Sequence, residues 1–172
     1  MLFGRKQSQP KLTPAEMSLN LREKALRVTA ADLNLTSIEA RPRVFGVLME
    51  TGYEEAVATV AVFADGSVSL YISTGGGVIG AGEHPMVREA AERLLTITEK
   101  YVAEFESASE TPLPKPGRVR FYVRTFTATL TADADEQDLG QHRHKLSAVF
   151  HAGQGVITEM RLASEKRKGG IQ

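Results

Sequence analysis

Val57-Ala58-Thr59-Val60-Ala61-Val62-Phe63-Ala64-Asp65-Gly66-Ser67-Val68-Ser69-Leu70-Tyr71-Ile72-Ser73 reads as two strands joined by a tight turn. Val57 to Ala64 is apolar at both odd and even positions and rich in β-branched residues, the pattern of a strand covered on both faces and central in its sheet. Val68, Leu70 and Ile72 alternate with Ser67, Ser69, Tyr71 and Ser73, so the second strand has one apolar face and one hydroxyl-rich face bordering solvent or a ligand. Asp65-Gly66 is a hairpin signal because a type I′ turn needs positive φ at both central residues. The pair is therefore antiparallel, and Val44 to Met49 supplies another strand before it.

On the N-terminal side, Thr13-Pro14 offers a cap and a proline at the first helical position, with Glu16 placed to complete a capping box. A helix is expected from Pro14 to about Val28, with Met17, Leu21, Ala25, Leu26 and Val28 forming an apolar stripe. On the C-terminal side, His84-Pro85 opens a run whose Val87, Ala90, Ala91, Leu94, Leu95, Thr98, Tyr101, Val102 and Phe105 share a helical face. A helix from Pro85 to Glu106 would span about 33 Å, enough to cross a whole sheet. Three prolines between Thr111 and Gly117 impose an extended linker.

From Arg118 to Ala132 the apolar positions are odd (Val119, Phe121, Val123) and then even (Phe126, Ala128, Leu130, Ala132). A single strand cannot bury both sets, so a bulge or turn is expected near Arg124 to Phe126, giving two strands. Asp133 to Asp138 carries helix-start chemistry, and Leu139 to about residue 162 fits a final helix. A hairpin turning at Gly153-Gln154-Gly155 is the alternative. The expected fold class is α+β: an antiparallel sheet of about five strands, a long helix packed across it and helices at both ends. Residues 13–163 form one domain, with flexible tails expected at 1–12 and, basic in character, at 164–172.

At 172 residues the chain can bury a sizeable core without disulfide or metal. Lys plus Arg and Asp plus Glu balance at 21 each, so no global field draws the molecule to nucleic acid or an anionic membrane. The lack of cysteine excludes disulfides, a thiolate nucleophile and cysteine-bound metal. No apolar run approaches signal-peptide or membrane-spanning length, and a soluble, cytoplasmic protein is expected.

The leading candidate site is Thr74-Gly75-Gly76-Gly77-Val78-Ile79-Gly80-Ala81-Gly82, followed by Glu83-His84-Pro85. So many glycines imply positive φ or close approach of main chain to something, and a tight structural crossing or a flap is preferred over ligand contact. Gly75, Gly76, Gly77, Gly80, Gly82 and His84 are the candidate contact residues. The stretch matches GxGxxG, but the preceding strand belongs to an antiparallel hairpin and the helix begins only near His84, which argues against a dinucleotide-binding βαβ unit. Loop amides and the helix start suit an anion instead, opposed by the charge of Glu83.

Arg118, Arg120, Tyr122 and Arg124 share one face of a strand and suit phosphate, carboxylate or base recognition. The preferred alternative is ordinary pairing with acids across the sheet or from the Glu104, Glu106, Glu110 region. His142, His144 and His151 lack metal-site spacing on a helix, the aspartates of 133–138 read as helix caps, and no GxSxG elbow is present. No catalytic residue, metal or cofactor is expected.

In element order, and in Thr129-Leu130-Thr131-Ala132-Asp133-Ala134-Asp135 leading into Leu139-Gly140, the chain resembles the roadblock and longin group of profilin-like domains over about residues 44–150. It departs from them in an extra leading strand and the glycine loop. The resemblance implies a non-catalytic module that dimerises through a sheet edge or long helix and binds small GTPases or other protein partners. The resulting expectation is a homodimeric interaction or regulatory module. The alternative is a protein or enzyme that binds an anionic small molecule or nucleotide between the loop and the arginine strand.

Overall fold

A computed structural model of the chain describes residues 10–35 and 43–170. Helix α1 (Pro14–Arg27) precedes β1 (Val44–Gly52), β2 (Val57–Phe63), β3 (Val68–Ile72) and β4 (Gly77–Val78). Helix α2 (Pro85–Lys100), β5 (Glu106–Ser107), β6 (Arg118–Thr125), β7 (Thr129–Asp135), α3 (Glu136–Gly140) and α4 (Ser147–Gly169) follow. The class is α+β, but the antiparallel sheet has seven strands, in the order β4-β3-β2-β1-β6-β7-β5, rather than about five. The two additional strands are dipeptides at the edges, too short to carry a periodic signal.

Strand alternation divides the sheet into two apolar faces. Helices α2 and α4 cover the larger core, which includes Val47, Met49, Val60, Val62, Leu94 and Phe121. Helix α1 covers a smaller one, where Ala25 and Leu26 meet Phe45, Leu48, Ala61, Phe63 and Tyr122. The parity reversal after Val123 resolves as a hairpin, in which Thr125 N–H donates to Ala128 O at 3.0 Å and places Arg124 opposite Thr129.

Three boundaries differ from expectation. Helix α2 ends at Lys100, and a 3-10 turn at Val102–Glu104 leads Phe105 into the core edge-on to Phe121, with ring centroids 6.2 Å apart. The apolar stripe thus continues past the helix on extended backbone. The final helix is split, because His142 adopts φ 58 between α3 and α4. Helix α4 then runs through Gly153 and Gly155 without a hairpin and continues, with exposed side chains, over residues 164–169, while most of the tail expected at 1–12 lies outside the described residues. Gly153 lies where an added Cβ would come within 2.5 Å of Met49 Sδ, so its absent side chain lets the helix settle onto β1.

The small core is tied together by charge. Glu50, on β1, is fully buried and receives Arg22 of α1 through two bonds, Nε at 2.5 Å and Nη2 at 2.8 Å. Thr59 Oγ1 donates to the same carboxylate at 3.0 Å, and Arg22 Nη2 also reaches Thr111 O at 2.9 Å. Burial alone would lower the Arg22 pKa, but hydrogen bonding to Glu50 and its charge reverse the shift and raise it. In return, Arg124 of β6 donates to the carbonyls of Leu26 and Val28 at the end of α1. A cation at a helix C-terminus complements the helix dipole. Two arginines thus fasten α1, one projecting from the helix and one from the sheet.

Removing one member of a buried pair strands the other charge in the core. Arg22→Met is therefore expected to lower unfolding free energy by about 3 to 5 kcal/mol, whereas Arg22→Met combined with Glu50→Met recovers most of the loss. Urea unfolding of the three chains measures both.

Candidate functional site

The glycine-rich stretch is built into the end of the sheet. Its backbone leaves β3 at Ile72, turns, pairs as β4 with Leu70 opposite Val78 and Tyr71 opposite Gly77, and passes through a 3-10 turn at Ala81–Glu83 into α2. Two glycines are sterically required. At Gly77, with φ +140, an added Cβ would lie 2.0 Å from Leu70 O, and at Gly82 it would lie 1.8 Å from Gly66 O. Gly80 and Gly76 have positive φ with open space around the missing Cβ, and Gly75 rests against Pro14 at the start of α1. His84 caps α2 through its backbone position, with no side-chain capping bond.

The stretch joins α1 at a groove of about 490 Å³. Leu12, Met17 and Leu21 line one side, and Leu70, Tyr71 and Ile79 the other. Ser18 Oγ crosses between the walls to donate to Gly76 O at 3.4 Å. Lys11 stands on the α1 side. Ile79 is 68% exposed, Met17 50%, Leu12 45% and Val78 42%, a cluster of exposed apolar side chains at one end of the molecule. Of the hydroxyl-bearing positions expected on one face of β3, Tyr71 lines this groove, whereas Ser67 and Ser69 line a separate depression near Gly82 and Arg88.

The arginine strand lies elsewhere. β6 is four strands from β4, roughly 19 Å at ordinary strand spacing. Arg118, Arg120, Tyr122 and Arg124 do share one face, opposite Asp135, Asp133, Thr131 and Thr129 of β7. Arg118 Nη2 and Arg120 Nη2 both bind Asp133, at 2.5 and 3.1 Å. Tyr122 lies 5.8 Å beneath the Arg22 guanidinium and donates its O–H to Pro112 O at 2.6 Å. Burial pushes the Tyr122 phenol pKa upward and the Arg124 guanidinium pKa downward. The fold therefore keeps the loop and the arginines apart, and hydrogen bonds within the chain engage all four side chains.

The remaining polar candidates serve the fold. Asp135 caps α3 by accepting from Asp138 N–H, and Asp138 pairs with Arg143. His144 Nδ1 accepts from Leu146 N–H, while the His142 and His151 rings stack with centroids 4.2 Å apart. Among the described residues no group of three or more histidine or acidic side chains is placed to hold a metal, and no helix is long and apolar enough to cross a membrane. The Arg22–Glu50 pair was missed in the sequence. The available signal was Glu50 sharing the parity of Leu48 at the end of an apolar strand, opposite the inward-facing Thr59.

Comparison with protein-family models, with curated proteins and with solved structures returned no match to this chain.

Because the space at Gly77 is filled by backbone, Gly77→Ala is expected to cost more than about 2 kcal/mol of stability, beyond the usual range of a strand glycine substitution. Gly80→Ala meets open space and bears only the cost of its left-handed backbone, about 1 kcal/mol. Thermal unfolding of the two variants in parallel separates these costs.

Proposed function

We propose that the protein is a non-catalytic interaction module that self-associates through the β4 edge of its sheet, with the Gly75–Gly82 stretch as the contact. The observation that carries this reading is the difference between the two sheet edges. Every residue from Gly66 through Gly82 is uncharged, and the exposed side chains of β4 and its extension are Val78 and Ile79. The other edge, β5, is flanked by exposed Glu104, Glu106 and Glu110. Charged side chains are the usual device that keeps an edge strand from pairing with another chain. The β5 edge carries charge within and on both sides of its strand, whereas the β4 strand and its extension carry none, with the charge of Lys11 beside them in the groove.

The backbone at β4 supports the same reading. Ile72 N–H donates to Gly76 O at 3.1 Å, so ladder alternation directs the Val78 groups inward and turns those of Gly77 and Ile79 outward. Two copies related by a two-fold axis at Val78 set Ile79 of one over Gly77 of the other, where no side chain obstructs it. Such an edge also accepts an extended strand from another protein by the same hydrogen bonds. The balanced charge of the chain offers no net repulsion between copies.

Multi-angle light scattering over a concentration series is expected to give a dimeric mass for the native chain. Ile79→Asp is expected to give a monomer with unchanged circular dichroism. A native chain that stays monomeric throughout removes self-association from the proposal.

A further inference from the structure

The groove beside the edge suits a smaller occupant. Its walls are mainly aliphatic, with Ser18, Lys11 and Tyr71 as the polar side chains, and Met17 and Leu21 of α1 face this space instead of packing on the sheet. The fastenings of α1 lie in its C-terminal half, at Arg22, Ala25, Leu26 and the Arg124 contacts, whereas its N-terminal half meets the loop through Ser18 and the Gly75–Pro14 contact. The apolar stripe of one helix is thus used twice, half as core and half as the wall of an unfilled groove. A volume of about 490 Å³ falls within the ordinary range of small-ligand sites.

The polar groups of the groove narrow the ligand class. Ser18 Oγ is committed to Gly76 O. Among the described residues, the Lys11 ammonium has no ion-pair partner and the Tyr71 hydroxyl no hydrogen bond, so a single positive charge stands beside a long apolar surface. A planar, hydrogen-bonding heterocycle finds few donors and acceptors here, and a polyanion finds one cation. A flexible hydrocarbon chain ending in one negative charge satisfies both features. We infer that this groove binds a free aliphatic carboxylate, its chain between α1 and β3–β4 and its head at Lys11. The groove shares Ile79 and Gly77 with the proposed self-association edge, but its head-group end at Lys11 and its α1 wall lie outside that edge, so the carboxylate titration is read on the Ile79→Asp monomer as well as on the native chain.

Isothermal titration of the full chain with hexanoate, octanoate and decanoate tests it. Saturable binding of one carboxylate per chain is expected, with affinity rising about fourfold per added methylene until the chain outgrows the groove. Decanol should bind severalfold more weakly than decanoate, and Lys11→Glu should weaken decanoate by a similar factor. Leu21→Trp, or Met17→Trp should the first fail to fold, fills the groove and should abolish binding. The inference is overturned by absence of saturable decanoate binding, or by binding that survives a folded tryptophan variant. Equal affinity for decanol and decanoate overturns it as well. Cosedimentation with phosphatidylglycerol vesicles would assign the groove to membrane lipid instead of a free carboxylate. Decanoate affinity that falls as chain concentration rises would assign it to a second copy.

Discussion

A carboxylate with no exposure to solvent sits on the middle strand of the sheet, and Glu50 is tolerable there only because Arg22 meets it with two hydrogen bonds. Desolvating both ions costs several kcal/mol each, and their attraction offsets that cost only when the geometry is good and the remaining lone pairs are satisfied. Thr59 supplies one further donor to the carboxylate, and Thr111 O accepts from the guanidinium. The pair therefore orders helix α1, strands β1 and β2 and the proline-rich linker relative to one another. With few apolar side chains buried under α1, this ionic contact and the Arg124 clamp determine where the helix lies. Where the helix lies determines whether its N-terminal half forms a wall to the groove.

The glycine-rich edge illustrates how a structural requirement and an interaction surface coincide. Gly77 and Gly82 are needed because backbone already occupies the space their side chains would take. The same crowding brings the chain back along β3 as a short strand, leaving Val78 and Ile79 outermost. A long protective strand with charged ends cannot form from such residues. An uncharged edge beside an apolar groove is the consequence, and it distinguishes this end of the sheet from the acidic β5 end.

The β2–β3 hairpin, the capping box of α1 and the turn between β6 and β7 were legible because each rests on local chemistry: Asp65-Gly66, Thr13 with Glu16, and the parity switch after Val123. The hairpin turn is nevertheless not type I′, because only Gly66 of the pair has positive φ, at 89°, and its N–H donates to Phe63 O. The ends of α2 and of the last helix were not, because tertiary packing decides them. Phe105 keeps the helical stripe yet reaches the core on extended backbone, and His142 breaks the final helix with a left-handed residue that carries no glycine signal. Gly153, which weakened the helical reading, is explained only by the contact with Met49 across the layers. For the site, the glycine cluster was visible and its sheet pairing was not. The one-sided arginine strand was visible too, but its partner Asp133 depends on the register with β7.

The most direct test of this account is amide hydrogen exchange at α1 and at Gly75 to Ile79 in the native chain, in Arg22→Met and in Arg22→Met with Glu50→Met. If the buried pair positions the wall of the groove, the single variant loses protection in α1 and the loop together while α2 and α4 keep theirs, and the double variant regains it. Protection of α1 and the loop left unchanged by Arg22→Met would contradict the account.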